Sequence, residues 1–446
     1  MVGRPLLSRA EPGFTLPAYE RLSPPPPPEL VQARLEANSA PGDIVADLHG
    51  RGGWVARAAI DRQRRAFSIE TGPLNRLLAE VVLRPPDLRH LDAAFSTLGT
   101  APYGETSLRL AINDLFATHC LTCGRNLPVD EVEWQGDAPA RIHYRCQLCR
   151  DQQNRPEHQA VEPTAADLER AARDVGADEV RQRLRERFPL PDGGDALVTA
   201  ILGLHTDRQL VGLAAILARV EGELHAAPIE SALRLAFLHA VLPASRLGLG
   251  GARMPSLRLA GGAVKSLVPE RWRERNPWLA FEDGYRHVRG FVQRLESGSL
   301  GALEARFAAD LRSLVEGSNN AIVRVLTPGA LERLASESPG PRIRLVLGQP
   351  PPRFSQERLA LPTTARPGRS GARRQRCSRW SRCWDRRFAR HGRGRRPPCA
   401  APWRRSRRTS PATPGSSSSL IMAVPRPWSP RSSAASAQAI GWSRRG

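Results

Sequence analysis

The stretch GDIVADLHGRGGWVARAAIDRQRRAFSIE, residues 42–70, decides the fold. Its first part, DIVADL (43–48), is a short apolar run that leads into a glycine-rich turn. After the turn, WVARAAIDRQ (54–63) has apolar residues at helical spacing, and RAFSIE (65–70) is a second apolar run. The pattern predicts strand, helix and strand in succession, which is typical of a parallel sheet covered by helices.

The same alternation surrounds this stretch and returns late in the chain. ELVQARLEANSAPGD (29–43) predicts a helix and a turn, and GPLNRLLAEVVL (72–83) predicts a helix with Pro at its start. AIVRVL (321–326) and RIRLVLG (342–348) predict two more strands, with PGALERLASE (328–337) as a helix between them. A long insertion therefore divides one α/β sheet.

The insertion has two parts. A cysteine-bearing segment comes first, and a strongly helical block follows it, with four helices predicted over 206–224, 229–242, 276–297 and 300–317. We interpret the aromatic residues of the third helix as core. The predicted units are a Pro-rich segment 1–28, a first half-sheet 29–115, a ribbon 116–152, a helical insertion 160–317, a second part of the sheet 318–360 and a tail 361–446.

The tail carries almost all of the net charge of +22. Residues 361–446 are rich in Arg, contain Asp385 as their single acidic residue, and lack any helical or strand period. One interpretation is a disordered nucleic-acid-binding arm. The other is a shift of the reading frame, because more than half of the nine Trp residues lie here and disordered arms are poor in aromatic residues. We favour the frameshift and predict disorder for the tail as written.

Two CxxC pairs form the most specific motif. CLTC (120–123) and CQLC (146–149) are separated by 22 residues. Each pair can bend into a knuckle that directs two thiolates to one ion. We predict a structural Zn²⁺ site with Cys120, Cys123, Cys146 and Cys149 as its ligands. Arg125, Arg141, Arg145, Arg150, Trp134 and Tyr144 could face DNA, and a solvated ribbon surface is the alternative.

The glycine turn has three interpretations. No GK[ST] sequence follows it, so it is not a P-loop, and its spacing is not the GxGxxG of dinucleotide-binding proteins. It is either a tight structural turn or a loop whose backbone approaches a ligand. Gly50, Gly52 and Gly53 supply the turn, and Glu70 ends the second strand, where an acidic residue commonly binds ribose hydroxyls.

With Asp47 before the glycines, the loop resembles the DPFxGxGT motif of DNA amino-methyltransferases, which bind S-adenosylmethionine. PGDIVADLHG similarly resembles the PGDxVLDPFxG of that family, although Leu48 and His49 stand where the family has Pro and Phe. The resemblance implies a Rossmann-like methyltransferase sheet. It also implies that the Asp47 region contacts the amino-acid part of the cofactor and that Glu70 holds its ribose.

A second resemblance lies in RLVLGQPPPRF (344–354). In this family a DPPY-like motif follows the fourth strand, where it holds the amino group of a flipped base and stacks on its ring. Gln349 takes the polar place, Pro350 and Pro351 match, and Phe354 could replace the aromatic residue that Pro352 displaces. The alternative is a Pro-rich turn after a strand.

The sequence thus predicts a DNA methyltransferase-like protein that acts on the amino group of adenine or cytosine, in degenerate or truncated form. Its predicted partner is DNA, and its cofactors are S-adenosylmethionine and zinc. The alternative is an inactive, methyltransferase-derived ribbon protein that binds nucleic acid or a protein. A nucleotide-dependent oxidoreductase is disfavoured by the incomplete GxGxxG. No apolar run is long enough for a membrane span, so we expect a cytoplasmic protein.

Overall fold

The computed structural model describes residues 25–70, 72–151, 154–187, 195–247, 258–260, 263–265, 270–297, 305–325, 343–348 and 420–423. The described part is a mixed α/β structure that contains a mainly parallel sheet, an antiparallel sheet and a block of helices. Strands and helices are numbered along the chain.

The parallel sheet contains the strands predicted from residues 42–70. Strand β1 (Ile44–Gly50) lies between β2 (Arg65–Glu70) and β13 (Ile343–Gly348), and β12 (Ala321–Val325) lies outside β2. These four strands are parallel to one another. Their carboxyl ends therefore meet at one edge of the sheet, in the order β12-β2-β1-β13.

Burial on both faces explains why these short runs form strands. Val45 packs in one apolar cluster, while its neighbours Ile44 and Ala46 pack in the cluster on the other face. Val55 and other apolar residues of the helix that follows β1 join the first cluster. Leu311, from the short helix that precedes β12, joins the second cluster. Continuous apolar strands are expected where helices cover both faces of a parallel sheet.

The predicted helices around the first two strands are present. The helix predicted over 328–337 lies outside the described residues. The helices of this part of the chain are α1 (Pro28–Asn38), α2 (Trp54–Ile60), α3 (Pro73–Leu83), α4 (Leu88–Thr100) and α5 (Leu108–Asp114), with a hairpin of β3 (Pro102–Tyr103) and β4 (Thr106–Ser107) before α5.

One strand of the parallel sheet comes from the tail. Strand β14 (Leu420–Ala423) pairs antiparallel with β13. Disorder was predicted for 361–446, and the prediction does not hold for these four residues, because a short apolar run can take up the free edge of β13. The rest of the tail lies outside the described residues.

The antiparallel sheet is larger than the predicted ribbon 116–152. Its order is β11-β6-β7-β8, with β5 paired to the start of β6. Two of its strands lie beyond residue 152, and β11 returns from inside the segment 160–317 to cover the edge of β6. An uncovered edge would leave a row of backbone groups without partners. The strands are β5 (Ala117–His119), β6 (Asn126–Gln135), β7 (Ala138–Arg150), β8 (Pro156–Val161) and β11 (Arg271–Arg275).

The helical block surrounds one apolar cluster. Trp278, Phe281 and Tyr285 lie in that cluster, which confirms that they are core residues. Among the described residues, no helix combines the length and the apolar character needed to cross a membrane. The block contains α6 (Ala165–Ala172), α7 (Ala177–Arg187), α8 (Asp195–Leu202), α9 (Asp207–Gly222), α10 (Ala227–Val241) and α11 (Pro277–Ser297), with a hairpin of β9 (Arg258–Ala260) and β10 (Ala263–Lys265).

The helix predicted over 300–317 is wrong for residues 305–310, and residues 300–304 lie outside the described residues. Between 305 and 317 the helical part is α12 (Leu311–Glu316), and the Asp310 carboxylate caps it by accepting a hydrogen bond from the N–H of Ser313 at 2.7 Å. Before this cap, the N–H of Ala308 donates to the carbonyl of Ala321 at 2.8 Å. A capping residue in the middle of the periodic pattern, and an extended contact with the sheet, override helix propensity here.

A buried ion pair joins the antiparallel sheet to the helical block. Arg208 of α9 donates from Nε to Glu274 Oε1 of β11 at 2.8 Å, and the Glu274 side chain has no solvent exposure. Trp134 of β6 donates its indole N–H to the same carboxylate at 2.8 Å. The guanidinium of Arg208 also lies over the ring of Phe116, 4.4 Å from its centroid. The same buried polar contacts therefore join the antiparallel sheet and the helical block.

Candidate cofactor loop and metal centre

The glycine loop leaves β1 at the carboxyl edge of the parallel sheet and enters α2. Gly52 and Gly53 have φ values of 90° and 79°. A Cβ on Gly52 would lie 2.4 Å from a methyl carbon of Leu78, and a Cβ on Gly53 would lie 2.9 Å from the Cα of Ala79. Only glycine allows both this backbone conformation and this close approach to α3.

Glu70 closes the loop from the end of β2. Its carboxylate accepts hydrogen bonds from the N–H of Gly52 at 2.8 Å and of Gly53 at 3.1 Å. The Ser68 hydroxyl donates to the same carboxylate at 2.7 Å. A Cβ on Gly50 would lie 2.4 Å from Glu70 Oε1, so the missing side chain makes room for the carboxylate. Glu70 is completely buried.

Asp47 lies next to Glu70 and is buried as well. Its carboxylate accepts a hydrogen bond from the N–H of His49 at 3.0 Å. Burial raises the pKa of Asp47 to about 6, although the His49 N–H and the charge of Arg51 act in the opposite direction. Burial and the nearby Asp47 raise the pKa of Glu70 to about 8. Raised carboxylate pKa values of this kind are common at functional sites.

The five predicted cofactor residues are thus close together, and each has a defined position. Asp47, Gly50, Gly52, Gly53 and Glu70 form one loop cluster at the carboxyl edge of the sheet.

The four predicted base-loop residues, Gln349, Pro350, Pro351 and Phe354, lie outside the described residues. Gly348, the last residue of β13, directly precedes them in the sequence. A Cβ added to Gly348 would lie 3.1 Å from His49 Nδ1. The last described residue of β13 therefore lies beside His49 of the glycine loop.

Two residues at this edge were not predicted. Ser68 lies two residues before Glu70 on β2, so both side chains lie on one face of the strand. This spacing is the sequence feature that could have predicted the contact. His49 lies against the end of β13, and its Nδ1 is buried without a hydrogen-bond partner. Burial and the positive charge of Arg51 lower the pKa of His49. No sequence pattern predicts that His49 meets Gly348.

The four predicted metal ligands form a compact cluster. The Sγ atoms of Cys120, Cys123, Cys146 and Cys149 all lie within 4.8 Å of one another. Two of the sulfur–sulfur distances are 3.8 Å, between Cys120 and Cys149, and 3.7 Å, between Cys123 and Cys146. Four sulfurs bound tetrahedrally at about 2.3 Å from one zinc ion would lie about 3.8 Å apart. The cluster could bind a metal, and its dimensions are consistent with zinc.

Backbone N–H groups of the two knuckles stabilise thiolates. Burial disfavours the charged form of Cys120, but hydrogen bonds from the backbone of Cys123 and Thr122 lower its pKa to about 6. Hydrogen bonds from the backbone of Cys149 and Leu148 lower the pKa of Cys146. The low pKa values of Cys120 and Cys146 favour metal binding, because the thiolate is the ligand. Burial and the neighbouring cysteines raise the pKa of Cys149 to about 12, so its thiolate needs the charge of a bound cation.

Residues around the cluster hold the first knuckle in place. Gly124 has a φ of 68°, and its N–H donates to the Cys120 carbonyl at 2.8 Å. The N–H of Leu121 donates to the Tyr144 hydroxyl at 3.0 Å, and the Tyr144 hydroxyl donates to Gln159. Hydrogen-bonded outer partners of this kind orient metal ligands. Gln159 lies on β8, beyond the predicted ribbon, and was not anticipated.

The two aromatic residues predicted for the ribbon surface contact other parts of the protein. Tyr144 is completely buried, and Trp134 stacks on Trp272 of β11 with ring centroids 5.1 Å apart. Arg145 pairs with Asp130 at 3.3 Å. The remaining three arginines of the predicted surface, Arg125, Arg141 and Arg150, are exposed.

Comparisons with family models, with curated proteins and with solved structures find no match to this chain. The function is therefore inferred from the geometry of the two sites.

Proposed function

We propose that this chain is a DNA methyltransferase-like protein with a Rossmann-like sheet. It would bind S-adenosylmethionine at the glycine loop and act on the exocyclic amino group of adenine or cytosine. Bound S-adenosylmethionine supplies an electrophilic methyl group on sulfur. The task of the protein is to place the amino nitrogen in line with that methyl group, and such placement supplies most of the rate.

The strand order is the observation that carries this proposal. We number the four parallel strands by their order in the chain, so that β1, β2, β12 and β13 are strands 1 to 4. Their order across the sheet is then 3-2-1-4. Ligands of doubly wound sheets bind at the carboxyl edge where the strand order reverses, between the first and fourth strands. Those strands are β1 and β13, with Asp47 opposite Leu347. The end of β13 at Gly348 thus lies beside His49 of the glycine loop.

The acidic residues of the loop support S-adenosylmethionine over a dinucleotide. The N–H groups of Gly52 and Gly53 already donate to the Glu70 carboxyl group, and Asp47 adds a second acidic residue. A pyrophosphate would therefore find these two N–H groups occupied and no cationic group supplied by the two acidic residues. A sulfonium nucleoside with an ammonium group and ribose hydroxyls brings positive charge and hydrogen-bond donors instead.

The metal centre would stabilise the fold without taking part in catalysis. Four cysteine ligands fill the coordination shell of zinc and leave no position for a substrate or water. The cluster lies on the antiparallel sheet, which the Arg208–Glu274 pair connects to the helical block. We infer that zinc fixes this sheet as a scaffold against which DNA or a protein partner can bind.

One observation favours a second candidate, an inactive protein that retains the methyltransferase fold. The Glu70 carboxylate already satisfies the N–H groups of the glycine loop, so the loop is complete without a ligand. In that case the ribbon and the helical block would bind nucleic acid or protein, and the cofactor loop would be structural.

Calorimetry with S-adenosylmethionine and transfer of a radiolabelled methyl group to DNA separate the two candidates. We expect the full chain to bind the cofactor, and Asp47→Asn to weaken binding by about tenfold or more, as loss of a charged contact does. The matched control is Asp87→Asn, because Asp87 is an exposed carboxylate that caps α4. Asn also caps helices, so this variant should bind normally.

Gln349→Ala tests the base loop separately. If the first candidate is right, this variant loses methyl transfer and keeps its affinity for S-adenosylmethionine. Cofactor binding without methyl transfer by the unaltered chain would favour the inactive candidate. The absence of both binding and transfer would refute the methyltransferase proposal. Sequencing the gene across codons 355–370 decides whether the assay should use a chain with a restored reading frame.

A further inference from the structure

The carboxylate of Glu70 occupies the hydrogen-bonding groups of the glycine loop. Both of its oxygens accept backbone N–H groups, at 2.8 Å from Gly52 and 3.1 Å from Gly53, and the side chain has no contact with solvent. The space that it fills exists because Gly50 lacks a Cβ. Because the side chain is fully buried in this position, the carboxylate is not accessible to the ribose hydroxyls of a ligand.

Few contacts hold Glu70 in this position. Besides the two loop N–H groups, Ser68 donates to Oε1 at 2.7 Å from the same strand. Within the described part of the chain, no cation lies within ion-pairing distance of Glu70. The neighbouring acidic group, Asp47, disfavours its charge. A buried carboxylate without a cationic partner is energetically unfavourable, so the closed position depends on these three hydrogen bonds.

We propose that Glu70 is an autoinhibitory contact, which closes the glycine loop in the free protein and must turn out of it when S-adenosylmethionine binds. This inference rests on the proposed function. Its consequence is that the hydrogen bond from Ser68 opposes cofactor binding, although Ser68 does not contact the cofactor.

Ser68→Ala tests the contact in the full chain. The variant loses one hydrogen bond that holds the closed position, so we expect it to bind S-adenosylmethionine about two- to tenfold more tightly in calorimetry. The matched control is Ser231→Ala. Ser231 is also a buried serine that donates to a glutamate, at 3.1 Å from Glu80, but it lies on α10, away from the loop. Its affinity should equal that of the unaltered chain.

The amide signals of Gly52 and Gly53 provide the second measurement. In the unaltered chain we expect both ¹H–¹⁵N signals to shift when S-adenosylmethionine saturates the protein, because their acceptor leaves. Unchanged signals at saturation, or a Ser68→Ala variant that binds no more tightly, would refute the autoinhibitory role of Glu70. Either result would leave the proposed function standing. If folded protein and both variants bind no S-adenosylmethionine at millimolar concentration, the proposed function itself fails, and this inference with it.

Discussion

The four-cysteine cluster and the glycine loop differ in what completes them. The knuckles bring four sulfur atoms within 4.8 Å of one another, and thiolates so close repel unless a cation lies between them. The glycine loop is completed by its own chain, because Glu70 accepts the N–H groups of Gly52 and Gly53. We therefore expect the first site to need a bound cation for its stability, and we propose that the second must lose an internal contact in order to bind a ligand.

The largest effect should come from removing the metal. Cys120→Ser, or a strong chelator, should eliminate the bound zinc and unfold the antiparallel sheet, since structural zinc contributes on the order of 10 kcal/mol. Metal analysis and hydrogen exchange in β6 and β7 measure both effects. Cys377→Ser is the control, because Cys377 is not one of the four predicted ligands. If the amides of β6 and β7 stay protected after complete loss of metal, the cluster does not need a bound cation for its stability.

A smaller effect should follow from breaking the junction between the ribbon and the helical block. Arg208→Met leaves the Glu274 carboxylate buried without its cation, and we expect a loss of about 3–5 kcal/mol in the free energy of unfolding. Arg273→Met is the control. The Arg273 side chain is 42% exposed in its pair with Glu131, so its loss should cost less than about 1 kcal/mol. Urea denaturation measures the free energy of unfolding of both variants. Equal losses would show that the buried Arg208–Glu274 pair contributes no more than the exposed pair.

The next effect concerns the glycine loop itself. Gly53→Ala combines a φ of 79° with a Cβ 2.9 Å from Ala79, and we expect a loss of about 1–3 kcal/mol of stability. Gly136 has a φ of 59° and nothing within 4 Å of a Cβ, so Gly136→Ala should cost about 1 kcal/mol. Thermal unfolding of both variants measures the difference. Equal losses would mean that the contact with α3 contributes nothing.

A further change that we expect is in the pH dependence of stability. The pKa of Glu70 is raised to about 8 and that of Asp47 to about 6, so the folded state holds protons more tightly than the unfolded state. Their contribution to stability is therefore largest at low pH and is lost as the pH rises through 6 and 8. His49 and Arg51 are the other titratable groups that face this pair.

Glu70→Gln removes one of these two groups. Its free energy of unfolding should fall less steeply between pH 6 and pH 8 than that of the unaltered chain. Glu36→Gln, a change at an exposed side chain of α1, should leave the slope unchanged. Chemical denaturation at several pH values measures the slopes. An unaltered slope in Glu70→Gln would show that Glu70 does not hold an extra proton in the folded state.

Local patterns predicted much of the fold. The strand RAFSIE forms over Arg65–Glu70 as predicted, because a short, mostly apolar run that is buried on both faces is encoded in six consecutive residues. The four cysteines come together because each knuckle is a local bend. The helix over 300–317 could not be predicted correctly, because the contact of Ala308 with Ala321 is not visible in a periodic pattern.

The residues of the sequence by themselves determined the strand–turn–helix units, the glycine loop and the two CxxC pairs, because these depend on neighbours a few positions apart. Only the tertiary structure decided that β11 completes the ribbon sheet and that Gly348 lies beside His49. It also decided that Glu70 fills the loop. These contacts join distant parts of the chain, and burial and hydrogen bonding in the folded protein select them.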